Sequence, residues 1–397
     1  MGTVNLANIT LMNTYTSAVL KKFTESFSVQ PRIFFSPGRI NLIGEHVDYN
    51  DGFVMPAAID KGMYYAVAPN GTEEINFIAL DFNESYSTTI HDIKVNVDWK
   101  NYVLSVVNEF LLAGKKIGGF NCVFSGDVPN GSGMSSSAAV EGGLAFALNE
   151  FFDAGFNRVE LALLCQRAEH NFPNVMCGIM DQFANMMGKQ DHVILLDCRS
   201  IEHKYFPLKL EGYKIVLINS KVHHSLAAGE YNIRRKWCEQ GLEILKRNLS
   251  IQSFRDIKSV DEMWPYKEEM DSDVHNCCRF VVEEIARTTR AAELLQANNL
   301  AEFGKLMYAT HEGLSKLYKV SCEELDFLVE QAIKYPAVIG ARMMGGGFGG
   351  CTINIVKDDG LQNFTDEATA AYQQRFNIVP EVYIVNTSDG TKELSLS

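Results

Sequence analysis

The chain has 397 residues, 46% apolar and 21% charged, and a net charge of -13. The length suits two lobes better than one core, and the ordinary composition excludes a disordered or fibrous protein. The acidic balance argues against a general binder of nucleic acid or anionic membrane, because nothing in bulk attracts a polyanion; ATP, which needs only a local cradle of backbone N–H groups and a few placed cations, is not excluded.

The first residues, MGTVNLANITLMN, lack the basic stretch and apolar core of a signal peptide. Leu6 stands where a myristoylation signal beginning at Gly2 needs Ser or Thr. No apolar run approaches bilayer-spanning length. The nine cysteines are scattered without a C-x-x-C pair, which reads as reduced thiols. A cytoplasmic protein is expected, with no membrane or nucleic-acid partner and no obligate protein partner evident.

In chain order, residues 11–29 predict a helix and 32–36 a strand running into Pro37-Gly38. Residues 63–68 and 75–80 are β-branched and aromatic strands. Helical spacing follows over 99–112, then a strand over 122–126, a Gly/Ser loop, and helices over 137–152, 159–171 and from about 180. Residues 193–198 (VILLDC) read as a buried strand. Beyond about 206 the pattern shifts to a strand over 214–219 and long helices around 227–247, 279–297, 300–317 and 322–334. The end of the chain predicts strand 338–344, a Gly-rich turn, strand 352–356, helix 364–376 and strand 381–385. Strands and helices mixed without regular βαβ alternation predict an α+β protein. The expected division is 1–206 and 207–397.

Four segments carry chemistry. In Ser36-Pro37-Gly38-Arg39-Ile40-Asn41-Leu42-Ile43-Gly44-Glu45-His46-Val47-Asp48-Tyr49-Asn50, four ionisable side chains crowd into ten residues beside two glycines. A solvated turn with a local salt bridge is the plainer reading. The flanking strand and the apolar run 53–59 instead set these charges at the edge of a core, where carboxylates and an imidazole suit sugar hydroxyls. Pro129-Asn130-Gly131-Ser132-Gly133-Met134-Ser135-Ser136-Ser137 lies between a strand and a helix, so its N–H groups and the helix dipole can cradle phosphate. It is not a Walker A loop, because no Gly-Lys-Ser/Thr follows. Gly345, Gly347 and Gly350 fit the G-x-G-x-x-G dinucleotide pattern, but a strand follows where a Rossmann loop opens a helix, so a hairpin is predicted. Asp181 falls in the first turn of a helix, where a capping role is the plainer reading, and Glu169 on the preceding helix could be an ordinary surface acid.

Together these segments resemble the three signature motifs of the GHMP small-molecule kinases, and GRINLIGEHVDYNDG resembles the galactokinase branch in particular. Residues 177–182, 196–200 and 224–235 are similar to galactokinase segments as well. The resemblance implies a two-lobed GHMP kinase fold, with an N-terminal lobe like ribosomal protein S5 domain 2 carrying the sugar motif and phosphate loop. A C-terminal ferredoxin-like lobe would carry the Gly-rich hairpin. It implies transfer of the γ-phosphate of MgATP to the C1 hydroxyl of galactose, the first committed step of galactose use by the Leloir pathway. Asp181 and Arg39 match the catalytic positions. Glu45, His46, Val47, Asp48, Gly178, Asp181 and Tyr231 match the sugar site. Gly131, Ser132, Gly133, Met134, Ser135, Ser136 and Ser137 match the ATP-phosphate loop, and Ser137 and Glu169 the magnesium ligands.

Such a set suits the chemistry. Magnesium takes hard oxygens, and phosphoryl transfer needs mainly positioning and charge neutralisation. Asp181 would orient the C1 hydroxyl and could take its proton, and those two roles stay open at this level. The chain departs from the family pattern at Val47, where Thr is usual, and at Asp51. Asn130, Ser132 and Met134 replace the usual loop residues, which bears on the shape of the nucleotide pocket. Two other readings remain: a GHMP kinase for another sugar such as N-acetylgalactosamine or arabinose, and a non-catalytic galactose/ATP sensor. A sensor is free to lose Asp181, Arg39 or the Ser-rich loop, and all are intact.

Overall fold

The computed structural model describes residues 13–129, 131–223 and 227–395. Gly2, Leu6, the first two residues of the helix expected over 11–29, Asn130 of the loop, and residues 224–226 lie outside the described residues.

The elements run α1 (Thr14–Ser26), β1 (Arg32–Asn41), β2 (Phe53–Val54), β3 (Pro56–Pro69), β4 (Glu74–Ala79), β5 (Glu84–Thr89), α2 (Trp99–Leu112), β6 (Phe120–Gly126) and α3 (Ser136–Phe151). They continue with α4 (Arg158–Asn171), α5 (Met180–Met187), β7 (His192–Asp197), β8 (His203–Pro207), β9 (Tyr213–His223), α6 (Ala227–Asn248), α7 (Ser272–Gln296), α8 (Leu300–Glu312) and α9 (Glu323–Ile333). The last are β10 (Val338–Met343), β11 (Gly349–Lys357), α10 (Leu361–Phe376), β12 (Glu381–Val385) and β13 (Lys392–Leu394).

A six-stranded sheet has the order β13-β1-β3-β6-β4-β5, with only β4 and β6 parallel. Side chains alternate across it as a strand period of two requires. Ile33, Phe35, Tyr64, Ala66 and Val123 face α1, whose Val19, Leu20 and Phe23 complete that core. Phe34, Tyr65, Val67, Cys122 and Phe124 face the opposite way, toward the core shared with α2, α3 and α4. Helix α4 starts where it does because Asn157 and Glu160 form a reciprocal capping box.

A second, antiparallel sheet has the order β10-β11-β9-β12. One face, with Val216, Ile218 and Val356, packs on α9 and α10. The other, with Ile215, Leu217, Ile353 and Ile355, packs against Ile40, Ile43, Met55 and Met134. Both halves of the chain thus share a dry core, and that core fixes the Gly-rich hairpin against the phosphate loop. A three-stranded sheet, β2-β7-β8, flanks the join.

Several elements differ from the sequence expectation. The strand expected to stop at Ser36 continues to Asn41 through a bulge between Pro37 and Arg39, because Ile40 alternates into the shared core. The helix expected over 300–317 ends at Glu312 and finishes as a π turn over Gly313–Leu317. Strand β13 lies beyond the last element expected from the sequence and pairs with β1. Among the described residues no helix is long and apolar enough to cross a membrane. None of the nine cysteines is in a disulfide.

Candidate active site

The bulge in β1 turns Arg39 inward. Its Nε donates to Asp181 Oδ1 at 2.8 Å and its Nη2 to Asp181 Oδ2 at 2.7 Å, a bidentate fork. Its Nη1 donates to the Gly133 carbonyl, and its backbone N–H donates to the Met134 carbonyl at 3.0 Å. Arg39 therefore ties the strand, the phosphate loop and the first turn of α5 into one unit. Ser135 adds a third donor, its hydroxyl to Asp181 Oδ2. Ser135 holds a left-handed backbone, φ 58°, just before α3 and makes no side-chain cap. Strain of this kind persists only where the surroundings over-determine it.

Above this unit lies a cavity of 190 Å³ lined by Arg39, Glu45, His46, Asp48, Glu169, Val175, Cys177, Met180, Asp181, Tyr231, Gly345 and Gly346. Glu45 accepts from the Gly345 N–H at 2.8 Å and from Arg342 Nη1 at 3.1 Å, an ion pair with almost no solvent exposure. Gly178 belongs to the same wall. A Cβ there would sit 2.1 Å from Asp48 Oδ2, so only glycine fits beside this carboxylate. The Tyr231 ring lies 5.2 Å from the His46 ring and 5.4 Å from that of Tyr49.

The phosphate loop touches the hairpin backbone to backbone. Gly133 has φ 76°, and a Cβ there would meet the Met344 carbonyl oxygen at 2.8 Å. Beyond the loop, Ser137 lies near the Glu169 carboxylate, which accepts from Gln182 Nε2 at 2.6 Å. On the far side of the loop a second cavity, 590 Å³, is lined by Asp81, Phe82, Asp98, Trp99, Tyr102, Gly131, Ser136 and Ser137 among others. Ser136 and Ser137 at the start of α3 line this second cavity, while Ser135 just before them bonds Asp181 in the wall of the first.

A galactokinase galactose-binding signature matches residues 21–69, and the GHMP kinase N-terminal and C-terminal domain models match 101–189 and 291–374. The galactokinase of Clostridium acetobutylicum is 42% identical over 369 residues, 91% of this chain and 95% of that protein. The chain belongs to the galactokinase family. Bacillus subtilis galactokinase is 38% identical over 368 residues, covering 91% and 94%. The crystal structure of Lactococcus lactis galactokinase complexed with galactose matches with a TM-score of 0.92 at 33% identity, over 95% of this chain and 99% of that one. Methanococcus jannaschii mevalonate kinase, at a TM-score of 0.63 and 20% identity, shares the fold. The α+β GHMP fold with its two lobes is thus the fold of this galactokinase family member, which is an ATP-dependent sugar kinase.

Burial sets the charge states in this family member's site. Burial, reinforced by the nearby Asp181 charge, pushes Asp48 up to about 7 and Glu169 up to about 7. Burial likewise pulls His46 down to about 4 against the opposing pull of Glu45, so its imidazole is neutral at pH 7. For Glu45 the burial effect is upward, but Arg342 and Arg39 outweigh it and hold the carboxylate below its usual range. Burial would lower Arg39, yet Asp181 and Glu45 leave it raised and fully charged.

Three expected site residues point elsewhere. Val47 is wholly buried in the large core and lines neither cavity. Met134 is wholly buried in the core shared by the two halves, and the Ser132 hydroxyl turns back to donate to the Pro129 carbonyl at 2.7 Å. In the loop these two side chains turn away from both cavities, so the departures there leave the cradle's shape to its glycines. Reading the sequence missed Arg342, although an arginine inside the apolar strand of residues 338–344 was a usable signal. It also missed Trp99 and Tyr102, whose spacing at the start of α2 looked like ordinary core.

Proposed function

We propose that the protein transfers the γ-phosphoryl group of ATP to the C1 hydroxyl of D-galactose, giving galactose 1-phosphate and ADP, the first committed step of galactose use by the Leloir pathway. The observation that carries this reading is the Arg39–Asp181 fork, set where the polar 190 Å³ cavity meets the phosphate loop.

Galactose occupies that cavity, against Glu45, His46, Asp48, Gly178 and Tyr231. At about 7 the Asp48 carboxyl can donate as well as accept, which suits a hydroxyl. The ATP phosphates lie along residues 131–137, where backbone N–H groups and the N-terminus of the sixteen-residue α3 favour negative charge. The nucleotide base enters the 590 Å³ cavity beside Trp99 and Tyr102.

Asp181 accepts a hydrogen bond from the C1 hydroxyl and takes its proton as the O–P bond forms. Ser135 and Arg39 hold the carboxylate in place for this. Arg39, buried and permanently charged, then stabilises charge on the transferring phosphoryl group. Among the described residues no group of three or more His, Cys, Asp and Glu is arranged to hold a metal. A hydroxyl and a carboxylate near one another nevertheless suit magnesium shared with ATP oxygens, and the burial and crowding with Asp181 that raise Glu169 are what a cation would relieve. Ser137 and Glu169 would hold the ion, which when bound neutralises phosphate charge. The lobe division at 206/207 belongs to the same proposal, with β13 crossing back to the first sheet.

The test is an ADP-release assay over a panel of free sugars, with the phosphate position read by NMR. Galactose should be phosphorylated at C1 and its C4 epimer glucose hardly at all, because a buried polar pocket rejects a mismatched hydroxyl strongly. Comparable kcat/KM for the two would sink this reading of the cavity.

A further inference from the structure

Behind the sugar cavity lies a chain of polar contacts that the steps of phosphoryl transfer do not use. The Gly346 carbonyl oxygen is 3.2 Å from His46 Nε2, and His46 Nδ1 is 2.7 Å from the Tyr49 hydroxyl. The Tyr49 hydroxyl is 2.9 Å from that of Tyr318, which is 3.1 Å from Cys238 Sγ.

The direction of every bond follows by elimination. A carbonyl only accepts, so Nε2 carries the hydrogen, and in the neutral ring Nδ1 is left as an acceptor. Tyr49 must then donate to Nδ1 and accept from Tyr318, which accepts from the Cys238 thiol. Each hydroxyl donates once and accepts once, and such chains strengthen their members in a dry interior.

Tyr318 is itself firmly placed. It follows the π turn Gly313–Leu317, a feature whose extra residue re-aims the chain and recurs at functional sites. Its carbonyl accepts from Arg234 Nε at 2.9 Å, and the Lys319 carbonyl accepts from Arg234 Nη2 at 2.8 Å. Arg234 sits on α6, the helix that also bears Tyr231. Two residues beyond Tyr318, the Val320 carbonyl accepts the Phe348 N–H at 2.7 Å, within the Gly-rich hairpin.

We propose that Tyr49 and Tyr318 are positioning residues acting in series: Tyr318 holds the Tyr49 hydroxyl, which fixes the His46 ring so that His46 pins the Gly346 carbonyl and with it the hairpin wall of the sugar cavity. The inference rests on reading that cavity as the galactose site. A core that merely packs predicts loss of stability alone, whereas a serial positioning chain predicts a change in sugar affinity with a defined order.

The experiment uses Tyr49→Phe, Tyr318→Phe and the double variant, all of which keep their rings and so their packing. Galactose KM should rise about fivefold to tenfold in Y49F, the size of one buried hydrogen bond, and about twofold to threefold in Y318F, with kcat and ATP KM little changed. The double variant should match Y49F alone, since without the Tyr49 hydroxyl Tyr318 has nothing to act through. The ¹⁵N resonance of His46 Nδ1 should move toward that of an unbonded ring nitrogen in Y49F and partway in Y318F. An unchanged galactose KM with only a lowered Tm overturns the inference, as does a Y318F effect that persists undiminished on the Y49F background. If the parent chain fails to phosphorylate galactose, the reading of the cavity falls and this inference with it; turnover in the parent with parent-like variants sinks the inference alone.

Discussion

Arg39 and Asp181, 142 residues apart in the chain, meet through two parallel hydrogen bonds of 2.8 and 2.7 Å. The pair is asymmetric: the guanidinium is 5% exposed and the carboxylate 26%. Both line the cavity, the carboxylate more openly, while the guanidinium is also held by the Gly133 carbonyl. The deeper group is the one that must stay charged, and the shallower one is the group that must exchange a proton.

Asp181→Asn should therefore cut kcat about a hundred- to ten-thousand-fold, the usual range for a lost general base. The amide turns an N–H toward either Arg39 or Ser135, so the melt should also drop, while calorimetry still detects galactose and ATP. Near-parent kcat with an intact melt would return Asp181 to a residue that serves only the helix terminus.

Gly178→Ala tests the sugar wall without replacing an ionisable group. Its methyl would sit 2.1 Å from Asp48 Oδ2 and 2.2 Å from Asp48 Cγ, so the carboxylate must move. We expect a galactose KM raised by about tenfold or more and a stability loss of about 1–3 kcal/mol from overpacking. ATP KM should hold. An unaffected galactose KM would show that Asp48 has no part in binding the sugar.

The Asp48 carboxyl gives a pH dependence of defined sign. It is raised from 3.8 to about 7 by burial and by the Asp181 charge. Below pH 3.8 it is protonated in both the folded and unfolded chain, and nothing is lost. Between 3.8 and about 7 the unfolded chain releases the proton that the folded chain keeps, costing at most about 1.4 kcal/mol per pH unit. Above that the loss levels off. Asp48→Asn removes this loss, so the Tm difference, variant minus parent, should grow from pH 5 to pH 7 and then flatten. A difference constant across that range would contradict the assignment.

Glu169→Gln should raise the magnesium needed for half-maximal rate more than it alters galactose affinity. The amide still accepts from Gln182 Nε2, which keeps the 2.6 Å contact possible, but it carries no charge for a hard cation. Equilibrium binding of galactose, followed without metal, should be close to the parent's. Parent-like turnover at limiting magnesium would make Glu169 a purely structural acid.

Much of this was legible in the linear chain. Local periodicity located α2 and β12 to the residue and α3 and α4 to within one, because apolar spacing and capping are written within a few residues of each other. The strand after Gly350 was enough to reject a dinucleotide loop and predict the hairpin. The crowded charges from Arg39 to Asp48 marked a site, since burying so many together needs partners or a ligand. What spacing could not carry was the identity of those partners. Arg342 reaches Glu45 across 297 residues, Ser135 spends its hydroxyl on Asp181 rather than on a helix cap, and β13 closes the edge of a sheet begun at residue 32. Nor could spacing say which way each side chain turns: Val47 and Met134 are buried in the cores, and the Ser132 hydroxyl turns back to the Pro129 carbonyl. The sequence by itself determined which groups exist and which local elements carry them. Only the packing of the second sheet onto the first decided which of those groups meet, because that shared core brings the Gly-rich hairpin, the phosphate loop and the sugar motif into direct contact with one another.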